Sequence, residues 1–334
     1  MISSIDVAKL AGVSQSTVSR VMNNPQRVDP VKRARVEQAM LSLGYHPNLI
    51  ARNLGSKTTQ TIALISGTLQ NDFFVESADS IVNYANNQGY KTLVYFENEG
   101  KLQELVDTVL GYKVDGILLS SIMLDDPVFA AIEKSGVPYV LFNRRPRNGG
   151  SYVVMDNELA AAMLTQHLLD MGHRSIAYIS GHTNISTFYE RKIGFEKAMK
   201  AADVPIRPDR MYFVDTAKAE IQKLTWTIMQ DTQPPTAILC ATDEMALSCM
   251  DALMQMGRSI PQDVSLAGFD DISISSHQAI QLTSVGQHKF KLGIMAAEHL
   301  LNKINKDIDP SLPYQLVLKP ELFVRKTTGQ VNPI

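Results

Sequence analysis

Short apolar runs alternate with longer amphipathic segments along most of this chain, and this alternation restricts the possible folds more than any other feature. The apolar runs are predicted as strands at residues 61–66, 91–96, 116–120, 139–142, 176–180, 237–241 and 264–269. The amphipathic segments are predicted as helices at residues 73–87, 102–110, 157–171, 189–201, 220–230 and 244–256. Strands and helices that alternate in this way predict parallel sheets with helices packed on both faces.

The predicted strands are too many for one sheet. With 334 residues, of which 45% are hydrophobic, the chain is long enough to bury more than one core. We therefore expect an α/β body of two lobes, each built on a doubly wound parallel sheet, with a cleft between them. Ligands bind beyond the carboxyl ends of parallel strands and between domains, so the cleft is the expected binding site.

The N-terminal part of the chain follows a different pattern, in which only helices are expected. Ser3 and Asp6 have the spacing of a capping box at the start of a first helix. Gly12 can adopt the left-handed conformation of a tight turn, and Ser14 can cap a second helix. A third helix is expected over residues 30–43. Because two short helices joined by a glycine turn make a helix-turn-helix, we expect a small all-α head before the α/β body.

The outward face of the second predicted helix is polar, with Gln15, Ser16, Thr17, Ser19, Arg20 and Asn23. Such a helix fits the major groove of DNA, where these groups can hydrogen-bond to base edges and phosphates. Gln15, Ser16 and Arg20 are the candidates for base contacts, and the other three are candidates for phosphate contacts. The alternative is a polar helix face that is only solvated.

Charge is distributed unevenly along the chain. Residues 1–59 contain eight Lys or Arg and three Asp or Glu, which gives them a formal charge of +5. The remaining residues carry −7, although the whole chain carries only −2. A basic segment on an acidic body is what a phosphate-binding head attached to a sensor needs. The asymmetry therefore favours DNA binding over simple solvation of the polar helix.

The head resembles that of the LacI/GalR transcription regulators in DVAKLAGVS at 6–14, TVSRV at 17–21, GYHPN at 44–48 and AR at 51–52. This resemblance implies that Gln15, Ser16 and Arg20 lie on bases. It also implies that Arg27 can reach the major groove. The head is expected to span residues 1–58, followed by an effector-binding and dimerisation domain at 59–334.

The same resemblance implies a hinge helix at about residues 47–55, which folds only when two copies pair on DNA. Leu54 matches a leucine that wedges into the minor groove and partly unstacks a base step, although by itself it would pass as an ordinary helix residue. Two residues depart from the family pattern. Ser4 replaces a usual apolar residue and is expected to loosen the first helix, and Gly55 weakens the hinge helix by about 1 kcal/mol relative to alanine.

The body is similar to the family's sensor domain in VDGI at 114–117, MDN at 155–157, GHR at 172–174, DVS at 263–265 and GFDD at 268–271. That domain is similar to periplasmic sugar-binding proteins. The candidate effector residues are Phe73, Phe74, Asn143, Arg144, Asp156, Arg191, Thr216, Asp243 and Asp270. The two phenylalanines would stack on a sugar or base, while Asn143, Arg191 and Asp270 would hydrogen-bond to it. Taken singly, the phenylalanines suit a core and Asp270 suits a helix cap.

Two other classes of function compete with this interpretation. An enzyme is disfavoured because the chain has no Gly-rich phosphate loop, no Gly-x-Ser-x-Gly motif and no histidine pair at metal-ligand spacing. No cofactor and no metal are expected, and Cys240 and Cys249 are expected to be small buried residues. A transport-type binding protein is disfavoured by the basic head and the lack of an export signal. With no apolar run of about twenty residues, we expect a cytoplasmic protein without a membrane segment.

We therefore expect a sequence-specific DNA-binding regulator, most simply a repressor. A homodimer on a pseudo-palindromic operator is expected, because one head reads only one half-site. The expected effector is a sugar, a sugar acid or a sugar phosphate, since aromatic rings are combined with Asn, Asp and Arg side chains. The sequence is compatible with an effector that releases the protein from DNA and with one that tightens its binding, because both effects follow from the same two-state equilibrium.

Overall fold

The computed structural model describes residues 2–46, 58–97, 100–287, 289–309 and 312–331, without the side chains of residues 23, 289 and 290. The chain divides into two compact units, Met1–Thr59 and Gln60–Ile334. The predicted hinge helix at 47–55, including Leu54, lies outside the described residues.

The described part of the first unit is helical. It contains α1 (Ser4–Ala11), α2 (Gln15–Asn23), a 3₁₀ helix at Pro25–Arg27 and α3 (Pro30–Leu43). Val7, Val18 and Val36, one from each α-helix, are completely buried and form the centre of its core. Leu10 is apolar, but it is 56% exposed because it lies on the side of α1 away from this core.

Local polar contacts define the ends of these helices. The Asp6 carboxylate accepts hydrogen bonds from the Ser3 N–H at 2.9 Å and the Ser3 hydroxyl at 2.7 Å, which lowers the pKa of Asp6. Asp29 Oδ1 accepts from the first-turn N–H of Lys32 at 3.1 Å. Gly12 follows α1 at φ 62°. The predicted capping box and glycine turn are therefore confirmed, because each satisfies or terminates a helix end that lacks internal partners.

The second unit contains strands β1 (Thr61–Ser66), β2 (Lys91–Phe96), β3 (Gly116–Leu119), β4 (Tyr139–Phe142), β5 (Tyr152–Met155), β6 (Ile176–Ser180), β7 (Met211–Phe213), β8 (Ala237–Cys240), β9 (Ser265–Phe269), β10 (Thr283–Gly286), β11 (Gln315–Leu318) and β12 (Glu321–Phe323). Its helices are α4 (Asp72–Asn87), α5 (Leu102–Gly111), α6 (Val128–Ser135), α7 (Asn157–Asp170), α8 (Ser186–Ala201), α9 (Lys218–Met229), α10 (Asp243–Gln255) and α11 (Lys289–Asn305). Two 3₁₀ helices lie at Pro208–Arg210 and Ser273–Ser276.

These strands form two six-stranded sheets. The first has the order β2-β1-β3-β4-β5-β11 and is parallel throughout. The second has the order β7-β6-β8-β9-β10-β12 and is parallel except for β12, which runs antiparallel to β10. The predicted α/β body of two lobes with doubly wound parallel sheets is confirmed, and β12 departs from it.

Helices cover both faces of each sheet, which explains why the strands are apolar along their whole length. In β1, Ile62 and Leu64 pack against α4 and α11, whereas Ala63 and Ile65 pack against α5 and α6. All four side chains are fully buried. Because burial of one Ile or Leu side chain contributes about 1.5–3 kcal/mol, the two faces together hold the sheet between its helices.

Within the described residues the chain passes between the lobes at three places. These lie between β5 and α7, between β10 and α11, and between β11 and β12. In both lobes the strands end in loops that line the space between the sheets. Several short connections of this kind allow two lobes to rotate against each other without breaking either core.

Candidate functional site

A cavity of about 510 Å³ lies between the two lobes. The first lobe lines it with Gly67, Thr68, Gln70, Asn71, Phe73, Phe74, Glu97, Ser121, Asn143 and Arg144. The second lobe lines it with Ile185, Thr187, Phe188, Arg191, Thr216, Lys218, Thr242, Glu244, Ser248 and Asp270. The cavity therefore brings together most of the predicted effector residues, namely Phe73, Phe74, Asn143, Arg144, Arg191, Thr216 and Asp270. Its volume is typical of small-molecule sites.

Arg191, on α8, is a charged side chain held almost entirely inside the protein, with 2% of its surface exposed. Its guanidinium donates to Asp270 Oδ1 at 2.8 Å, to Asn157 Oδ1 at 2.9 Å and to the Ala241 carbonyl at 2.5 Å. It also lies over the Phe269 ring, 4.6 Å from the ring centre. A buried cation needs such partners, because desolvation would otherwise disfavour the charged form. Arg191 and Asp270 thus present a pre-oriented polar pair at the cavity.

The backbone is strained at the strand ends that line this cavity. Asn143 follows β4 with φ 64°, and Asp270 follows β9 with φ 99°. Around Asn143 the Arg144 N–H donates to the Phe142 carbonyl at 2.7 Å, which closes a three-residue turn. Non-glycine residues with positive φ are uncommon, and such strain concentrates at ligand sites. The strain supports the assignment of both residues to a binding site, and Asp270 does not serve as the helix cap that the alternative would require.

In both lobes, a phenylalanine ring packs over a glycine that follows a strand. Gly67 follows β1 and Gly181 follows β6, and a phenylalanine stands seven positions after each glycine, at Phe74 and Phe188. A side chain at either glycine would collide with that ring, since an added Cβ at Gly67 would overlap Phe74 Cε2 and one at Gly181 would overlap Phe188 Cε2. Phe188 was missed by the sequence analysis, although the repeated Ser-Gly pair with a phenylalanine at this spacing could have identified it.

Arg144 stands beside Phe74 and forms no ion pair with any residue that the structure describes. Its guanidinium carbon lies 5.7 Å from the centre of the Phe74 ring, and its Nε is buried without a hydrogen-bond acceptor among the described residues. Burial lowers the pKa of Arg144 to about 10, and nearby Glu97 partly opposes this effect. Arg144 therefore remains protonated at neutral pH and contributes positive charge to the cavity.

Two of the predicted residues do not line the cavity. Asp156 caps α7, because its Oδ1 accepts from the Leu159 N–H at 2.9 Å. Asp243 is fully buried behind the cavity wall and accepts from the Ser275 hydroxyl at 2.7 Å and the Ser284 hydroxyl at 2.6 Å. Burial and the neighbouring charge of Asp270 raise the pKa of Asp243 to about 8. The neighbours of Asp243 in sequence line the cavity instead, at Thr242 and Glu244.

A chain of polar contacts runs from Arg145 in the first lobe to the cavity residue Arg191 in the second lobe. Arg145, which follows β4, forms an ion pair of 2.7 Å with Glu190 on α8. The second oxygen of Glu190 accepts from Asn157 Nδ2 at 3.2 Å, and Asn157 Oδ1 accepts from Arg191. Elsewhere on the interface, the Ser273 N–H donates to Glu76 Oε1 at 2.9 Å. A change in the angle between the lobes would therefore disturb groups that contact Arg191.

The predicted reading face of the head is largely exposed. Gln15, Ser16, Ser19 and Arg20 are exposed on α2, Thr17 is half-buried, and Arg27 is exposed at the end of the 3₁₀ helix. The side chain of Asn23 and the whole of Leu54 lie outside the described residues.

Ser4, the departure noted in the sequence, makes a contact of its own. Gln15 Nε2 donates to the Ser4 hydroxyl at 3.0 Å, which ties the first residue of α2 to the first turn of α1. Ser4 lies at the start of α1, behind the capping contacts of Ser3. The serine therefore orients a candidate base-contacting side chain, and no apolar residue could replace this hydrogen bond.

Neither a membrane-spanning helix nor a metal-binding cluster occurs among the described residues. No helix in that part of the chain is both long and apolar enough to cross a bilayer. The same residues contain no group of three or more His, Cys, Asp or Glu side chains arranged to hold a metal ion. Cys240 and Cys249 are both buried and unpaired, with their sulfur atoms 3.5 Å apart.

Comparison with protein families matches both units of the chain. Residues 5–48 match the family described as bacterial regulatory proteins, lacI family, and residues 165–328 match a periplasmic binding protein-like domain. The HTH-type transcriptional repressor PurR of Glaesserella parasuis is 35% identical over 334 residues, covering 98% of both chains. Catabolite control protein A of Priestia megaterium is 34% identical over 316 residues, covering 92% of this chain and 94% of its own.

Solved structures resemble the chain over almost its whole length. The lac repressor dimer bound to operator and the anti-inducer ONPF has a TM-score of 0.85 at 27% identity, covering 98% of this chain and 99% of its own. The complex of the transcriptional regulator CelR with cellobiose has a TM-score of 0.73 at 30% identity, covering 98% of this chain and 100% of its own.

Proposed function

This chain belongs to the LacI family of bacterial regulatory proteins, and we propose that it is a repressor whose affinity for operator DNA is controlled by a small molecule bound between its lobes. The observation that carries this proposal is a cavity lined by polar and aromatic groups from both lobes. An occupant that contacts both lobes favours one angle between them over another, so its binding energy can shift a conformational equilibrium. The relatives are transcriptional regulators, and none of those compared is an enzyme.

DNA recognition is assigned to α2. Its exposed polar face and the charge of +5 on residues 1–59 support binding in the major groove. In this proposal Gln15, Ser16 and Arg20 contact bases. Thr17, Ser19 and Asn23 hold phosphates, Arg27 extends the contact in the groove, and Leu54 acts as the minor-groove wedge.

The repressor is proposed to act as a homodimer on a pseudo-palindromic operator, because each head reads one half-site. The lac repressor, to which this chain is similar over 98% of its length, is described as a dimer bound to operator. Since its proposed target is chromosomal DNA, we propose that the protein works in the cytoplasm.

The effector is proposed to be a compact polar ring such as a sugar. Phe73 and Phe74 form an edge-to-face pair with ring centres 5.4 Å apart, which offers an apolar surface for a ring face. Asn143, Arg191 and Asp270 offer hydrogen-bonding groups for hydroxyls. CelR, a structural neighbour, was solved with cellobiose, which is a sugar.

The proposal is tested by selecting a preferred duplex from random DNA and titrating it against a scrambled duplex over a salt series. We expect the selected duplex to bind about a thousandfold or more tightly at physiological salt. Arg20→Ala should remove about 1–3 kcal/mol of that discrimination, because a base contact is lost. Arg33→Ala removes the same charge from α3, where Arg33 pairs with Glu37, and should leave the discrimination intact. Equal affinity for both duplexes at every salt concentration would exclude sequence-specific repression.

A further inference from the structure

The cations that line the cavity and those that follow Arg144 in the chain differ in how their charge is compensated. Carboxylates lie within 3 Å of four of them, in the pairs Arg191–Asp270 at 2.8 Å, Arg145–Glu190 at 2.7 Å, Arg147–Asp125 at 2.8 Å and Lys218–Asp251 at 2.6 Å. Arg144 forms no ion pair with any described residue. The charge of Arg144 is therefore the one in this group that the described protein leaves uncompensated.

The position of Arg144 is set by its backbone and by an aromatic ring. The three-residue turn around Asn143 directs the chain into the cavity immediately after β4, and the guanidinium lies over the face of Phe74. Its buried Nε has no acceptor. Buried donors in folded proteins nearly always have an acceptor, so this unsatisfied N–H points to a group that is supplied from outside the chain.

The carboxylates that line the cavity do not fill this role. Glu97 lies close enough to oppose the effect of burial on the pKa of Arg144, but it makes no ion pair with it and accepts from the Gly100 N–H at 2.9 Å. Asp270 is bound to Arg191. Glu244 lines the cavity from the second lobe and forms no ion pair with Arg144. Since no described carboxylate pairs with Arg144, a ligand oxyanion is a partner of suitable chemistry.

We infer that the effector is anionic, and that its carboxylate or phosphate oxygens bind the guanidinium of Arg144 while its ring lies against Phe73 and its hydroxyls reach Arg191 and Asp270. This inference rests on the proposed function and narrows its ligand to sugar acids or sugar phosphates. Arginine suits both groups, because its planar fork of N–H donors matches two oxygens at once. A hydroxyl of a neutral sugar can accept a hydrogen bond from the Nε of Arg144, but it leaves the charge of Arg144 unpaired.

The test compares matched neutral and anionic sugars by thermal unfolding of the full-length protein. The first set is D-glucose, D-gluconate, D-glucuronate and D-glucose 6-phosphate, and the second is the corresponding galactose series. We expect at least one anionic member to raise the unfolding temperature more than its neutral parent at the same concentration and ionic strength. The carboxylate and phosphate arms distinguish the two sources of the oxyanion.

Variants connect the stabilisation to Arg144. Arg144→Gln should weaken binding of the stabilising anion at least tenfold, while Arg144→Lys, which keeps the charge without the fork, should recover part of that loss. Arg147→Gln is the matched control, because Arg147 is exposed, pairs with Asp125 and does not line this cavity. It should bind the anion like the wild type. A cooperative unfolding transition of each variant without ligand shows that it folds.

Several outcomes would overturn the inference. These are stabilisation by a neutral sugar that equals or exceeds that of its anionic counterpart, the absence of stabilisation by every anionic member, and unchanged anion binding in Arg144→Gln. Operator titration in the presence of each stabilising compound separates this inference from the proposed function. If a neutral sugar alters operator affinity, the effector is neutral and the proposed repressor function stands. If the anion binds without altering operator affinity, the cavity prefers anionic ligands, but the proposed control of DNA binding fails.

Discussion

Asp243 is a carboxylic acid placed where water does not reach. It is fully buried at the start of α10, and its oxygens accept from Ser275, Ser284 and the backbone N–H of Ile272. Gly268 lies directly beside it, since an added Cβ at Gly268 would overlap Asp243 Oδ1. Asp243 therefore connects α10 to the strand ends behind the cavity. Its carboxyl group holds a proton because the fold buries it.

The proton on Asp243 makes stability depend on pH. The pKa is about 8 in the folded protein against an ordinary value of 3.8, so the folded state binds more protons between these values. The resulting stabilisation is complete below about pH 4 and is lost as the pH rises through 8. We expect the free energy of unfolding of the wild type, relative to Asp243→Asn, to fall by up to about 1.4 kcal/mol per pH unit between pH 5 and 8.

Denaturant unfolding of both proteins at pH 5, 6, 7 and 8 measures this difference. All other titrating groups are common to the two proteins, so their contributions cancel in the comparison. If the two stability curves stay parallel over this range, Asp243 is ionised in the folded protein and the proposed protonation is wrong.

At the scale of elements, each lobe seats one phenylalanine over a glycine at a strand end. Gly181 has no positive φ, so its need for glycine comes from the ring of Phe188 and not from its own backbone. Phe188 is 6% exposed and lines the cavity from α8. The strand, the glycine and the first turn of the following helix thus act as one unit that shapes the cavity wall.

Gly181→Ala should displace Phe188 and destabilise the protein by about 1–3 kcal/mol, because the added methyl group overpacks a buried ring. It should also weaken binding of any compound that stabilises the wild type. Gly111→Ala is the control, since Gly111 ends α5 with open space around it and no positive φ. That substitution should leave stability unchanged or raise it by about 0.4–1 kcal/mol. Equal unfolding free energies of Gly181→Ala and the wild type would contradict the packing argument.

The elements that the sequence predicts correctly are those whose pattern lies in neighbouring residues. The helices of the head were identified from their caps, and seven strands, including the edge strand β2, from their apolar runs, with bounds correct to within about one residue at 61–66, 91–96 and 176–180. The missed strands are short, and β11 and β12 lie at sheet edges where they pair with segments far away in sequence. Because β11 and β12 are partly exposed along their length, they lack the continuous buried apolar run that marks the central strands.

At the scale of the whole molecule, the two lobes are joined by an ion pair as well as by the chain. Glu190 contacts Arg145 in the other lobe through one oxygen and Asn157 through the other, and Asn157 holds Arg191. A rotation of the lobes against each other changes the Arg145–Glu190 distance. The contact therefore links the angle between the lobes to the orientation of the cavity's central arginine.

Glu190→Gln should reduce the factor by which a bound effector changes operator affinity, because the charge that couples the lobes is removed. The ion pair is partly exposed and is worth about 0.2–1 kcal/mol, so the expected reduction is up to about fivefold. Operator titrations with and without effector measure it. Glu196→Gln serves as the control, since Glu196 pairs with Lys192 within α8. If Glu196→Gln reduces the effect of the effector on operator affinity as much as Glu190→Gln does, the cross-lobe ion pair has no special role in the coupling.

What the sequence by itself determined was local: the caps of the head helices, the alternation of strands and helices, and the residue types that follow the strands. These follow from neighbouring residues and periodicity, so no knowledge of distant contacts is needed. The tertiary structure decided which of those residues meet. Arg191 and Asp270 pair across 79 positions, and Asp243, one position from two cavity residues, is turned into the core. Such outcomes depend on the order of strands in the sheets, which the spacing of residues along the chain does not encode.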